Sequence, residues 1–157
     1  MPTLYILCGI PASGKSSWSK KFLQEYPNVH YVSRDEIRLS IIKDDESYFS
    51  HEDEVFKQFA GKIAQALSDG FDCIADATHI DYFSRKKLTY AIDSYIEDYK
   101  IIYVIFNTDI ITCLMRNRLR EGRQCIPEKS LCSMFSKWNA PTIKEDERAI
   151  KIRLVVE

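Results

Sequence analysis

Gly9, Gly14, Lys15 and Ser16 stand in the stretch "GIPASGKSS" with four residues between the first glycine and the second. That spacing suits one kind of chemistry, the holding of a nucleotide's phosphates. Glycine lets the backbone curl until successive N–H groups point inward at phosphate oxygens, and a helix starting there adds its positive end. In this pattern Lys15 reaches the β- and γ-phosphates and Ser16 binds Mg2+. Gly9, Ala12, Ser13, Gly14, Lys15, Ser16 and Ser17 are the candidate cradle for ATP. The plain alternative is a Gly-Pro turn with a surface lysine.

A second constellation is "VSRDEIR", residues 32–38, in which Asp35 and Arg38 lie three apart and share a helical face. An aspartate there can take the proton of an attacking hydroxyl, and an arginine one turn away can grip an anionic group on the same acceptor. An exposed ion pair worth a few tenths of a kcal/mol accounts for the same two residues. A third is "DATHI", with Asp76 placed to hold Mg2+ through water or to orient the acceptor, and with Thr78 and His79 as further substrate contacts. Thr78 or Asp81 equally serves as the cap of the next helix. The fourth is "RNRLREGRQCIP", residues 116–127, where Arg116, Arg120 and Arg123 are candidates to meet the nucleotide's phosphates when a lid closes. Cations at a solvated helix C-terminus explain that composition too.

These residues need a scaffold, and the chain alternates two periodicities that supply one. Apolar runs at 4–8, 29–32, 71–75, 101–106 and 152–156 read as strands. Between them, residues 50–68, 81–99 and 109–119 carry apolar positions at three- and four-residue steps and read as helices, and another helix starts at Pro127. Ser33 caps the short helix after the second strand. Alternation of this kind predicts right-handed crossovers and a mainly parallel five-stranded sheet between two helical layers. Ligands of such sheets bind at the carboxyl ends of the strands, where the first three constellations fall, and the fourth follows the helix after the fourth strand.

Composition narrows the class. The 157 residues are 45% hydrophobic and 29% charged, as in a globular chain of one domain spanning 1–157. No apolar stretch approaches the ~20 residues of a membrane span, so the expected location is the cytoplasm. Five cysteines without a C-x-x-C spacing point to reduced, structural thiols. A net charge of -1 offers no global attraction to nucleic acid, so a polyanionic acceptor would be met locally, over its first few nucleotides.

In their order and spacing the four stretches resemble the 5'-kinase domain of bacteriophage polynucleotide kinase and its relatives, and the likeness spans nearly the whole chain. The resemblance implies a P-loop kinase-type three-layer α/β sandwich with a helical lid at about 116–126. It implies ATP and Mg2+ as cofactors, held by Lys15 and Ser16, and catalysis by Lys15, Asp35 and Arg120. Asp35 is then the general base, Arg38 the contact to the phosphate that follows the acceptor nucleotide, and Asp76 a neighbour of the acceptor. The lid arginine is Arg120, with Arg123 competing because the lid carries an extra residue near Glu121. His79 stands where relatives often carry Asn. The phosphatase domain of the phage enzyme has no counterpart, so no 3'-phosphatase activity is expected. The implied activity is transfer of the γ-phosphate to the 5'-hydroxyl of DNA or RNA. The rival readings are a small-metabolite kinase of the zeta-toxin or antibiotic-modifying kind and a non-catalytic ATP-binding module.

Overall fold

Strands β1 (Thr3–Cys8), β2 (His30–Ser33), β3 (Cys73–Asp76), β4 (Lys100–Phe106) and β5 (Ala149–Val155) form one sheet in the order β2-β3-β1-β4-β5, every neighbouring pair parallel. The computed structural model describes residues 1–156. Helices α1 (Lys15–Glu25), α2 (Arg34–Ile41), α3 (Glu52–Ser68), α4 (Tyr82–Asp93), α5 (Ile110–Arg118) and α6 (Glu128–Ser136) make the crossovers.

The central strands are apolar throughout because both sheet faces are covered. On one face Leu4, Ile6, Cys73, Ala75, Ile101 and Tyr103 pack with Val55, Phe59, Ile63 and Leu67 of α3 and with Leu88 and Ile92 of α4. On the other, Leu7, Ile74, Val104 and Phe106 pack with Phe22 of α1. Alternate residues of β1 therefore serve opposite cores, as a period of two requires. The five cysteines are free; Cys8, Cys73 and Cys113 are buried and Cys125 and Cys132 exposed. Among the described residues no helix is long and apolar enough to cross a membrane.

Local chemistry sets the helix starts. The Ser33 hydroxyl accepts the Glu36 N–H, Asp109 accepts that of Thr112, and Asp81 forms a reciprocal capping box with Ser84. Two expected helices are shorter in the structure. The one expected from residue 50 begins at Glu52 without a side-chain cap, because Ser50 turns its hydroxyl onto the Ser47 carbonyl. The one expected to reach residue 99 stops at Asp93, since the chain must turn to bury Tyr99, whose hydroxyl donates back to the Asp93 carboxylate.

The segment expected to form a lid leaves the last turn of α5 and runs through a short 3-10 turn, Gly122–Gln124, to α6. Its two ends are stapled by the fully buried Asn117, whose amide donates to the Ile126 carbonyl at 2.6 Å and accepts the Ile126 N–H at 3.0 Å. Arginines 116 and 118 thus ride on a helix, and residues 119–121 connect it to the 3-10 turn.

Candidate active site

The turn after β1 is shaped by positions that only small or permissive residues can fill. A Cβ on Gly9 would lie 2.5 Å from the Ser13 hydroxyl and 2.9 Å from the Phe106 side chain. Gly14 adopts a left-handed φ of 103° at the entry to α1. The Gly9 N–H donates to the Thr78 carbonyl and Thr108 donates to that of Ser13, tying the turn to the exits of β3 and β4. Lys15 reaches back over the turn, its Nζ donating to the Gly9 and Ile10 carbonyls at 2.8 Å each. Burial lowers the pKa of this ammonium, with Asp76 and then Asp35 pulling the other way. Such a cation gains charge neutralisation when a phosphate arrives.

A cavity of about 560 Å3 opens in front of the turn. Ala12, Gly14, Lys15, Ser16 and Ser17 line it from the phosphate loop, and Asp35, Arg38, Asp76 and Thr78 from the ends of β2 and β3. Arg116 and Arg120 reach it from α5 and from the connection that follows it. Parallel strands place these positions at one edge, although up to 108 residues, from Ala12 to Arg120, separate them in the chain.

Arg38 is a crowded group. Its Nε and Nη2 meet the two carboxylate oxygens of Glu52 at 2.8 and 2.6 Å, and its Nη1 meets Asp35 at 2.5 Å and the Tyr48 hydroxyl at 3.2 Å. The guanidinium also lies over the rings of Tyr48 and Phe49. Burial opposes its charge, but the Glu52 hydrogen bonds and charge outweigh that and move its pKa upward. Glu52 responds in kind: burial pushes its carboxyl up, and the Arg38 contacts bring it below its ordinary value. Asp35, whose Oδ1 also accepts from Tyr48 at 2.7 Å, stays 61% exposed toward solvent. The pair is therefore not the exposed surface bridge that its spacing alone would suggest, because its arginine is only 7% exposed and four groups hold it.

Asp76 is buried, and burial raises the pKa of its carboxyl against the pull of Lys15 and of a hydrogen bond from Tyr31. The Tyr31 hydroxyl donates to its Oδ2 at 2.5 Å and lies near the Ser33 and Ser16 hydroxyls. A hydroxyl from Ser16 beside a partly desolvated carboxylate is a hard-oxygen donor set. It suits Mg2+, which keeps several waters and takes few protein ligands. Among the described residues there is no cluster of three or more His, Cys, Asp or Glu side chains that would cage a metal.

Other sequence candidates fall outside the cavity wall. Gly9 and Ser13 support the loop from behind, the Ser13 hydroxyl being buried without a hydrogen-bond partner. Arg123 turns away, donating to the Lys43 carbonyl at 2.7 Å and to Asp44 at 3.2 Å, so of the two competing lid arginines only Arg120 lines the cavity. His79 is buried with φ 42°, its Nδ1–H donating to the Leu7 carbonyl at 2.6 Å, and is not among the residues that line the cavity. Burial lowers its pKa to about 4.

Arg34, Tyr48, Phe49 and Glu52 of the cavity wall, and Tyr31 on Asp76, are among the residues that sequence reasoning missed. Their one legible signal is the aromatic pair Tyr48-Phe49 inside the polar run "DDESYFSHEDE".

A family model described as AAA domain matches residues 4–152. Among solved structures, a chain of the Pnkp1/Rnl/Hen1 RNA repair complex is 24% identical, with a TM-score of 0.73 over 87% of this chain and 43% of that one. Kti12 of Chaetomium thermophilum, solved with ADP-AlF3, is 12% identical with a TM-score of 0.70, covering 97% of this chain and 88% of its own. A sugar kinase from Janibacter sp. HTCC2649 is 15% identical with a TM-score of 0.67, covering 98% and 86%. This chain spans less than half the length of the RNA repair chain it matches. With a parallel five-stranded sheet, a phosphate loop after β1 and a family match over nearly its whole length, the chain belongs to the AAA domain family and has the fold of a P-loop kinase.

Proposed function

We propose that the protein is an ATP-dependent phosphotransferase whose acceptor is the 5'-hydroxyl of DNA or RNA. The observation that carries this reading is the position of Asp35. Its carboxylate lines the same cavity as the phosphate loop, is held at one oxygen by Arg38 and Tyr48, and stays exposed for an incoming hydroxyl. A base held in this way is set for proton removal at the moment of transfer.

When bound, ATP supplies the phosphoryl group and Mg2+ offsets its charge. The chain's own residues do the remaining work. Asp35 accepts the acceptor's proton as the acceptor oxygen bonds to phosphorus. Lys15 and Arg120 counter the charge that grows toward the departing diphosphate, and Ser16 with Asp76 orients the metal. Arg38 orients Asp35 and, if Glu52 yields one of its bonds, meets the acceptor's phosphate.

The likeness to a chain of an RNA repair complex supports a polynucleotide acceptor. One observation favours a small metabolite in its place: the Arg38 guanidinium is already filled by Glu52, Asp35 and Tyr48. The deciding experiment offers γ-labelled ATP with a 5'-hydroxyl oligonucleotide beside sugars, nucleosides and antibiotics. Labelling of the oligonucleotide alone is the expected result. Transfer only to a metabolite overturns the acceptor, and ATP binding without transfer to any acceptor overturns the enzyme.

A further inference from the structure

We infer that the outer face of α4 is a track for single-stranded polynucleotide leaving the cavity, an inference that rests on the acceptor reading above. The buried side of α4 is formed by Arg85, Leu88, Thr89 and Ile92. Its opposite side presents Tyr82, Phe83, Lys86, Lys87 and Tyr90, with Phe83 76% and Tyr90 79% exposed. Large aromatics left in water on one helical face are informative in a way that a lone exposed leucine is not.

Charge and spacing match this occupant. No acidic residue lies between Asp81 and Asp93, and the one arginine of that stretch, Arg85, points inward to Glu145. The outer face therefore carries the positive charge of Lys86 and Lys87 beside three rings. Phe83, Lys87 and Tyr90 follow one another at four and three residues, and about 10 Å of helix separates Phe83 from Tyr90. That length accommodates a stack of about three bases, with ammonium groups beside the backbone phosphates.

The face is continuous with the cavity. A five-residue connection, 77–81, joins α4 to β3, whose end carries Asp76, and Thr78 of that connection lines the cavity. From the other side, Arg34 lines the cavity and lies over the ring of Phe56 at 5.5 Å, while the Lys87 ammonium sits 4.3 Å from the centre of that ring. A chain of cation and aromatic contacts thus runs from the acceptor wall to the middle of α4. Arg34 Nε is buried without a hydrogen-bond partner, which leaves a donor at the start of this path.

The test compares Phe83→Ala/Tyr90→Ala and Lys86→Gln/Lys87→Gln with the unmodified chain, using as acceptors a nucleoside 3'-monophosphate and a 12-nucleotide 5'-hydroxyl single strand. The aromatic variant is expected to raise KM for the 12-mer about tenfold or more, with kcat, KM for ATP and turnover of the mononucleotide unchanged. The lysine variant is expected to flatten the salt dependence of 12-mer binding by about 1.4 in log–log slope. Unchanged 12-mer kinetics and salt slope overturn the track. Fluorescence anisotropy with a labelled 12-mer separates this from failure of the acceptor reading. Absence of transfer with binding that weakens in both variants keeps the track and removes the kinase assignment, and no binding removes the track. A variant that alters self-association in sedimentation but leaves 12-mer binding intact makes this face a protein-docking surface and overturns the inference.

Discussion

Arg38 grips Glu52 at two points, Nε to Oε2 at 2.8 Å and Nη2 to Oε1 at 2.6 Å, and turns its remaining nitrogen to Asp35. A glutamate at the start of α3 thereby controls where a carboxylate on α2 points. The bonds are charge-assisted and the arginine is buried, so the arrangement is stiff.

Glu52→Gln should lower kcat/KM for the acceptor by about 10- to 100-fold while leaving KM for ATP within a factor of two, because it loosens Asp35 and touches nothing on the phosphate loop. Steady-state kinetics with each substrate varied separately checks this. Chemical unfolding should also show a loss of about 1–3 kcal/mol from the under-partnered guanidinium. An equal loss on both substrates would mean that Glu52 acts only through folding.

Arg120 and Arg123 should differ sharply. Arg120 lines the cavity, so Arg120→Ala should reduce kcat by about 100-fold or more. Arg123 is spent on the Lys43 carbonyl and Asp44, so Arg123→Ala should change kcat less than about threefold. Rapid-quench measurement of a single turnover separates this effect from product release. A reversal of the order would show that the lid rearranges on closure.

Tyr31→Phe removes the hydrogen bond that holds the Asp76 carboxyl down against burial, so that pKa should rise further. The carboxylate is then lost at a higher pH as the medium is acidified. The acid limb of the kcat/KM profile should accordingly move upward in pH, and more Mg2+ should be needed for half-maximal rate. A profile that superimposes on that of the unmodified protein would separate Asp76 from the reaction.

His79 links stability to pH. Its folded pKa of about 4 lies below the ordinary 6.5, so the unfolded chain binds the proton more readily. Stability is whole above pH 6.5 and declines as pH falls toward 4, by about 2 kcal/mol between pH 7 and pH 5. Urea unfolding at those two pH values should show the decline in the unmodified protein, and His79→Gln should remove most of it. An equal decline in both would place the linkage elsewhere.

Much of this fold is legible before any coordinate is known. The strand "IIYVIF" is too uniformly apolar for anything but a doubly covered strand, and the glycine spacing of "GIPASGKSS" leaves the backbone few other uses. Residues 15, 35, 38 and 76 each follow or end a strand, so a parallel sheet brings them to one edge. The helix cap at Ser33 was equally readable, since it depends on a neighbour three residues away.

What depended on the fold is the set of contacts between segments. Glu52 is one of many acidic residues in "DDESYFSHEDE", and nothing local distinguishes it from Asp53 or Glu54. Only the packing of α3 beside α2 carries it to Arg38. Tyr31 reads as an ordinary strand residue until β2 pairs with β3 and sets its hydroxyl on Asp76. The burial of His79 is equally invisible in the sequence, since its hydrogen-bond partner, the Leu7 carbonyl, comes from β1. Periodicity and turn chemistry are properties of adjacent residues, so the chain alone determined its elements and the line of its phosphate loop. Hydrogen bonds, burial and charge act through space, so the partners of each site residue were decided only when the sheet closed.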